Sequence, residues 1–464
     1  MQAAVGSSTV RGQECAERGV IPTVDSAGEV PEWPKGTVSK TVWRVSVTWV
    51  RIPPSPPPIT TVCCVTEPTV SLAIRAGRIV CHATGLDGPG AVAIANGRIV
   101  AAEVGRPGAP CLPQGDSPEI NFPNGVLLPG LVDFHAHPAR GGSRYGIDPD
   151  HYMLRRGTTT VMSQGDVGAV NWPEYRDLVI GQAQTRVRLA IHLSTLGEWS
   201  PHPSYSRLDD LDVDACVRVA TGAGNRVWGI AVNANVRCTG KNDPRDILAR
   251  GIAAAEASGK PIIYGTRFHS DWSLDEQLAM LRPGDVVTYC FNTGPDRLVR
   301  DGHVLPCVSE ARSRGVLFDV GHGMNSFNFG IAEAALAEGF LPDTISTDLY
   351  RSHIRLQPMH DLPLVMSKLR ASGMSEHDIW PRVTDYPARI LGLGSEIGTL
   401  ASGACADITV LEWRSGSGSL TDVRGVVRSG GRWETRAVIR AGELVELEQR
   451  DKSYHGGAAA NLGE

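Results

Sequence analysis

From Val70 onward two kinds of pattern alternate along the chain. Short runs that are apolar, or apolar at every second position, are the length of strands. Longer stretches between them repeat apolar residues every three or four positions, as amphipathic helices do. The strand-like runs are Val126–Phe134, Thr158–Ser163, Arg188–Leu193, Val227–Val232, Pro261–Tyr264, Val286–Cys290, Leu317–Val320 and Thr344–Thr347. The helical stretches include Pro244–Ser258, Leu274–Leu281, Val308–Arg314 and Ile331–Glu338. Eight such strands alternating with helices predict an α/β fold, a (β/α)8 TIM-like barrel, close to the ~250 residues usual for one. A doubly wound open sheet is the alternative, but no strand leads into a Gly-x-Gly-x-x-Gly turn.

Both flanks of this region read as strands. Val70–Val80 and Ala91–Glu103 alternate, with Asn96-Gly97 as a tight hairpin turn. Ala406–Leu411 and a strand pair within Val423–Val445 follow the barrel, with Ser415–Ser419 as a loop. They predict a small β-sandwich domain built from both chain ends. The expected limits are 66–125 and 393–450 for its halves, 126–392 for the barrel, and 451–464 for a disordered tail. Residues 1–65 lack apolar periodicity and close on a proline-rich run at 53–58, which predicts a non-native or disordered extension. The stretch Glu32–Pro58, with Trp49–Pro54 inside it, resembles a translated transfer-RNA gene and puts the expected functional start at Val65.

Composition narrows the function. Of 464 residues 42% are apolar and 20% charged, with a net charge of −5. That is globular composition without the basic surface a nucleic-acid binder needs. The ten cysteines include no Cys-x-x-Cys pair, which argues against a zinc module or a disulfide framework. No apolar run reaches membrane-spanning length. A cytoplasmic protein with a small-molecule substrate is expected, and a homo-oligomer is left open.

The strongest chemical motif is Pro129-Gly130-Leu131-Val132-Asp133-Phe134-His135-Ala136-His137. Two histidines spaced i, i+2 at a strand's end point the same way and can share one ion, where barrel enzymes keep their chemistry. The alternative is two incidental polar residues in a loop. Ile345-Ser346-Thr347-Asp348 ends the eighth strand-like run, and Asp348 reads either as a ligand or as a helix cap.

Pro129–His137 resembles the first-strand metal motif of the amidohydrolase superfamily. The flanking Gly-Arg-Ile-Val units (Gly77–Val80, Gly97–Val100) and Gly398–Leu411 are similar as well. The resemblance implies that Asp348 binds metal and takes a proton from the attacking water. Phe318–Gly323, Asn325–Phe327 and Asp361–Met374 resemble a deacetylase-type subgroup, in which His322 would be a catalytic or substrate-binding residue. Two-metal members carry a lysine on strand four and histidines on strands five and six. Here Ala231, Tyr264, Tyr289 and Asn292 stand at those places. One divalent ion is therefore expected, zinc first, with iron, manganese or cobalt as alternatives. Its ligands would be His135, His137 and Asp348, with Asn292 or Tyr289 as the fourth and His269 as a substitute. Tyr264, Tyr289 and His269 would bind substrate.

This substitution set resembles the branch of phenylurea hydrolases and molinate (thiocarbamate) hydrolase. It implies cleavage of a phenylurea C–N bond to an aniline, carbon dioxide and an amine, with Trp172, Trp199, Trp228 and Trp272 as candidate pocket walls. The alternatives are a thiocarbamate hydrolase, an N-acyl amino acid deacetylase using Arg267 for an anionic substrate, and a non-enzymatic scaffold.

Overall fold

Strand β1 (Leu72–Cys81) pairs antiparallel with β2 (Leu86–Ala95), which turns back into β3 (Arg98–Val104). The turn is Asn96-Gly97, both left-handed at φ 51° and 73°, the geometry the sequence asked for. The computed structural model of the chain describes residues 70–105, 118–416 and 418–447. The expectations for residues 1–65 and 451–464 lie outside the described residues.

Strand β4 (Glu119–Pro129) lies parallel beside β1, and β5 (Leu131–Ala136) follows it across Gly130. The single run Val126–Phe134 is thus two strands in two sheets. Next come β6 (Thr158–Gln164), β7 (Arg186–His192), β8 (Val227–Asn233), β9 (Ile262–Gly265) and β10 (Val286–Thr288). A short hairpin, β11 (Val299–Arg300) and β12 (His303–Val304), precedes β13 (Leu317–Phe318). Strands β5 to β10 and β13 form a curled parallel sheet of seven strands in chain order, the core of a TIM-like barrel. The eighth run, Thr344–Thr347, is no regular strand. It is held by single bridges, Thr344 to Asp319 on one side and Leu349 to Ala136 on the other.

The two-residue period of a strand sorts side chains onto two faces. Met162, Ala190, Ala231, Ile263 and Val286 share one inner cluster with Val132 and Phe134. Their neighbours Val161, Leu189, Ile191, Ile230, Val232, Ile262, Tyr264 and Val287 join the outer core. Helices cover that outer face. Pro244–Ser258 has the predicted bounds: Asp243 caps its first turn through Arg245 N, and left-handed Gly259 ends it.

The other end of the chain supplies β14 (Ile408–Arg414), a small pair β15 (Ser419–Thr421) and β16 (Val427–Ser429), then β17 (Arg432–Arg440) and β18 (Glu443–Leu444). Strand β14 pairs with β4, so both chain ends meet in one seven-stranded mixed sheet. The described residues show this single sheet where a sandwich was expected. Its apolar face carries Ile74, Ile79, Val92, Leu127, Ile408 and Ile439.

Candidate metal centre

The pairing of β5 with β6 shifts register between Asp133 and Ala136. Before the shift Val132 and Phe134 face the inner cluster; after it Ala136 joins the outer core, and His135 and His137 turn inward. Asp348 comes to meet them from the bridged segment. Its φ of 47° is left-handed, which aspartate accepts better than most residues. Its N–H donates to the His135 carbonyl at 2.7 Å. One residue earlier, Thr347 donates its N–H and hydroxyl to the buried Asp133 carboxylate at 3.0 and 2.5 Å. Burial raises that carboxyl to about 7 against the pull of Thr347.

Asp348 Oδ1 lies 3.4 Å from His135 Nε2 and 3.3 Å from His137 Nε2. All three residues are buried, and ligand atoms of each lie within 4.8 Å of one another. A further layer fixes both rings. The Thr288 hydroxyl donates to Asp319 Oδ2 at 2.8 Å, so its oxygen accepts from His135 Nδ1 at 2.8 Å. Asp319 also accepts from Ser346 at 2.7 Å and Thr344 at 2.6 Å. His137 Nδ1 donates to Asp166 at 3.1 Å, and Ser143 and Ser163 hold that carboxylate. Both Nε2 lone pairs are therefore left to face Asp348. His135 Nε2 is fully buried and has no hydrogen-bond partner. A buried lone pair without a donor is costly, and imidazoles whose far nitrogen is tied to a carboxylate are oriented metal ligands. The donor set thus fits a divalent cation.

Electrostatics agree. Burial disfavours a charged His137, but Asp166 and Asp348 outweigh it and lift the imidazole to about 10, so without a cation a proton on Nε2 takes the place beside Asp348 that a metal ion would fill. Two glycines make the close packing feasible. At Gly321 (φ 48°) a Cβ would sit 2.2 Å from Thr288 Oγ1, and at Gly323 (φ 49°) 2.5 Å from Asp348 Oδ2. The Gly-His-Gly spacing serves the backbone around the site.

His137 and Asp348 open into a cavity of about 380 Å³, also lined by Tyr289, Gln164, Glu198 and Asn233. Of the expected substrate residues only Tyr289 is there, its ring 5.3 Å from His135 and burial pushing its phenol well up. Tyr264 occupies the outward register of β9 and donates to Gln277 under a helix at 2.9 Å. The Asn292 amide is spent inside its own loop, accepting from Gly294 N at 2.7 Å and donating to Tyr289 O at 2.9 Å. His269 is exposed and paired with Asp271 at 3.0 Å. His322 lies in a neighbouring cavity, with Nδ1 bonded to Gly323 O and Nε2 to Lys368. Arg267 is bound to Asp271 and Thr239 outside this cavity; Arg237 lines it instead. None of the four tryptophans lines it: Trp228, for one, bonds to Ile390 O in the inner cluster.

The sequence reading missed Gln164, Asn233 and Thr288. All three stand at the last inward position of their strands, so the alternation of Met162, Ala231 and Val286 carried the signal. Glu198 and Arg237 come from loops or short turns and carried no such period.

No protein-family profile matches the chain. It is 30% identical over 323 residues to a deacetylase of Agrobacterium fabrum, covering 67% of this chain and 76% of the relative. A deacetylase of Brucella anthropi is 30% identical over 331 residues, covering 69% and 79%. Among solved structures, an adenine deaminase superposes with a TM-score of 0.73 at 28% identity, over 81% of this chain and 99% of that one. A dihydroorotase gives 0.73 at 27% identity, over 81% and 98%.

Proposed function

Since the chain belongs to the amidohydrolase superfamily and is a metal-dependent hydrolase of C–N bonds, we propose that it removes the acyl group from an N-acyl amide, with the phenylurea of the sequence reading as the second substrate class. The carrying observation is the oriented, buried His135 Nε2 beside His137 and Asp348. The cavity wall favours the first substrate class. Gln164, Glu198, Asn233, Asn235 and Arg237 place several polar groups on it, which suits a small acylated amine or acid better than a chlorinated aryl ring. Tyr145, Phe268, Tyr289 and Tyr350 keep the aryl urea in view. The same reading takes the curled sheet with segment 344–349 as a closed barrel over 126–392.

His135, His137 and Asp348 would hold a divalent cation, zinc in our reading, which when bound would supply Lewis acidity and lower the pKa of a water toward neutral. Asp348 accepts the proton of the attacking water and returns it to the departing nitrogen. The protonated Tyr289 phenol donates to the carbonyl oxygen as it gains charge. The scaffold alternative gives way to this reading, since three converging buried ligands serve no scaffold.

The test is metal content per chain together with product release. About one divalent ion, with acetate released from N-acetyl amino acids, supports the proposal. Aniline release from diuron or linuron without acetate release moves the assignment to the second class. A chain that takes up no metal and hydrolyses neither overturns both.

A further inference from the structure

Beside the metal centre lies a second cavity of about 340 Å³, lined by His322, His353, His360, Lys368 and Asp422. We propose that this cavity binds a carboxylate, gripped by the Lys368 ammonium and the His353 Nε2–H.

The argument is a count of donors and acceptors. Lys368, on the helix Leu362–Ala371, is 6% exposed. Its ammonium donates to His322 Nε2 at 3.0 Å. That nitrogen is the accepting one, because His322 Nδ1 donates to the Gly323 carbonyl at 2.8 Å. Two N–H bonds of Lys368 remain. His353 Nδ1 accepts from Tyr350 N at 3.2 Å, so the proton of the neutral ring is on Nε2. That Nε2 is buried and meets no acceptor in hydrogen-bond geometry; the Gly323 carbonyl, which accepts from His322, is near enough to act on the ring without satisfying it. His360 turns its Nε2 to Thr347 O at 2.9 Å.

Among the described residues Asp422 is the one carboxylate on the wall, and both its oxygens already accept hydrogen bonds. Asn328 Nδ2 and Phe329 N hold one, at 2.8 and 3.0 Å; Arg424 N and Val426 N hold the other, at 2.8 and 2.9 Å. Burial keeps His322, His353 and His360 below their ordinary value, hence neutral. Burial also lowers Lys368, to about 8, which still leaves it largely charged at neutral pH. Asp422 steadies the ammonium electrostatically but accepts no hydrogen bond from it, and the Phe327 ring faces it at 6.0 Å, so two ammonium N–H bonds stay unused at the cavity. A carboxylate brings two acceptor oxygens and a charge in direct contact.

Met324 lines both cavities, and Tyr350, on the wall of the first, packs at 4.4 Å on His353. The carboxylate therefore has two sources of one chemistry: the acid end of a substrate reaching across, or a free small acid such as the one released. The binding site stands whichever bond the metal centre cleaves.

The probe is sodium acetate, titrated calorimetrically into the metal-loaded protein, with acetamide as the neutral isostere. Wild type is expected to bind acetate and not acetamide. Lys368→Met should weaken acetate at least roughly tenfold, the scale of one charge-assisted hydrogen bond, with the metal content unchanged. Should Lys368→Met fail to fold, His353→Asn keeps an acceptor for Tyr350 N, loses the Nε2 donor and should weaken acetate as well. Equal acetate binding in wild type and both variants overturns the proposal. So does binding that vanishes on chelating the metal but survives Lys368→Met, since the acetate would then sit on the metal. If Lys368→Met raises KM for acidic substrates relative to neutral ones, the acid end of the substrate is the occupant. If it abolishes acetate binding without that split, the occupant is free acid.

Discussion

Thr288 touches neither substrate nor the ligand atoms, yet the geometry makes it decisive for the metal. Thr288→Val keeps the shape and removes one oxygen. That oxygen accepts from His135 Nδ1 at 2.8 Å and donates to Asp319 at 2.8 Å. Without it the Nδ1 proton is orphaned on a fully buried ring, at about 1–3 kcal/mol, and Asp319 keeps only Thr344 and Ser346 of its three hydroxyl donors. Together we expect about 2–4 kcal/mol of lost stability, less than the sum because the two bonds share one group. The ring is then free to rotate or change tautomer, and metal affinity should fall about 10–100-fold. A chelator competition reads the affinity, and urea unfolding of the metal-loaded protein reads the stability. Thr288→Ser, which keeps the oxygen, should stay near wild type. If Thr288→Val holds its metal within twofold of wild type at unchanged stability, the hydroxyl does not orient His135.

Asp348→Asn should lower kcat at least about a hundredfold with metal bound, the scale of a general base, and should fold normally because asparagine tolerates the left-handed backbone there; wild-type turnover would remove Asp348 from the proton path. Gly323→Ala places a methyl 2.5 Å from Asp348 Oδ2 at a φ of 49°, so metal binding and activity should fall together, while Gly222→Ala, which meets nothing within 4 Å, should change neither. His192 is held at about 3 by burial, below its unfolded 6.5. Its unfolded form takes up the proton the folded form excludes, so stability is full above about pH 6.5 and is lost toward pH 3, at up to about 1.4 kcal/mol per unit. His192→Asn should flatten that acid limb in urea melts against pH; parallel curves for the two proteins would contradict the assignment.

Local pattern fixed what depends on local geometry. Short apolar runs placed seven parallel strands, and apolar periodicity placed the helix Pro244–Ser258. His135 and His137 were legible because two residues apart on a strand is one direction in space, and Asp348 because it ends the matching run. The partners of those candidate ligands were not legible as partners. Thr288, Asp319 and Asp166 meet the histidines only when β10, β13 and the loop after β6 curl around β5. Residues that sequence spacing nominated were diverted the same way: the outward register of β9 took Tyr264, its own loop consumed Asn292, and Asp271 claimed both Arg267 and His269. Sequence by itself determined which faces exist and which histidines share one. Tertiary structure alone decided which polar groups end up opposite each other, because a buried donor or acceptor takes whatever partner the fold brings within about 3 Å, irrespective of its distance along the chain.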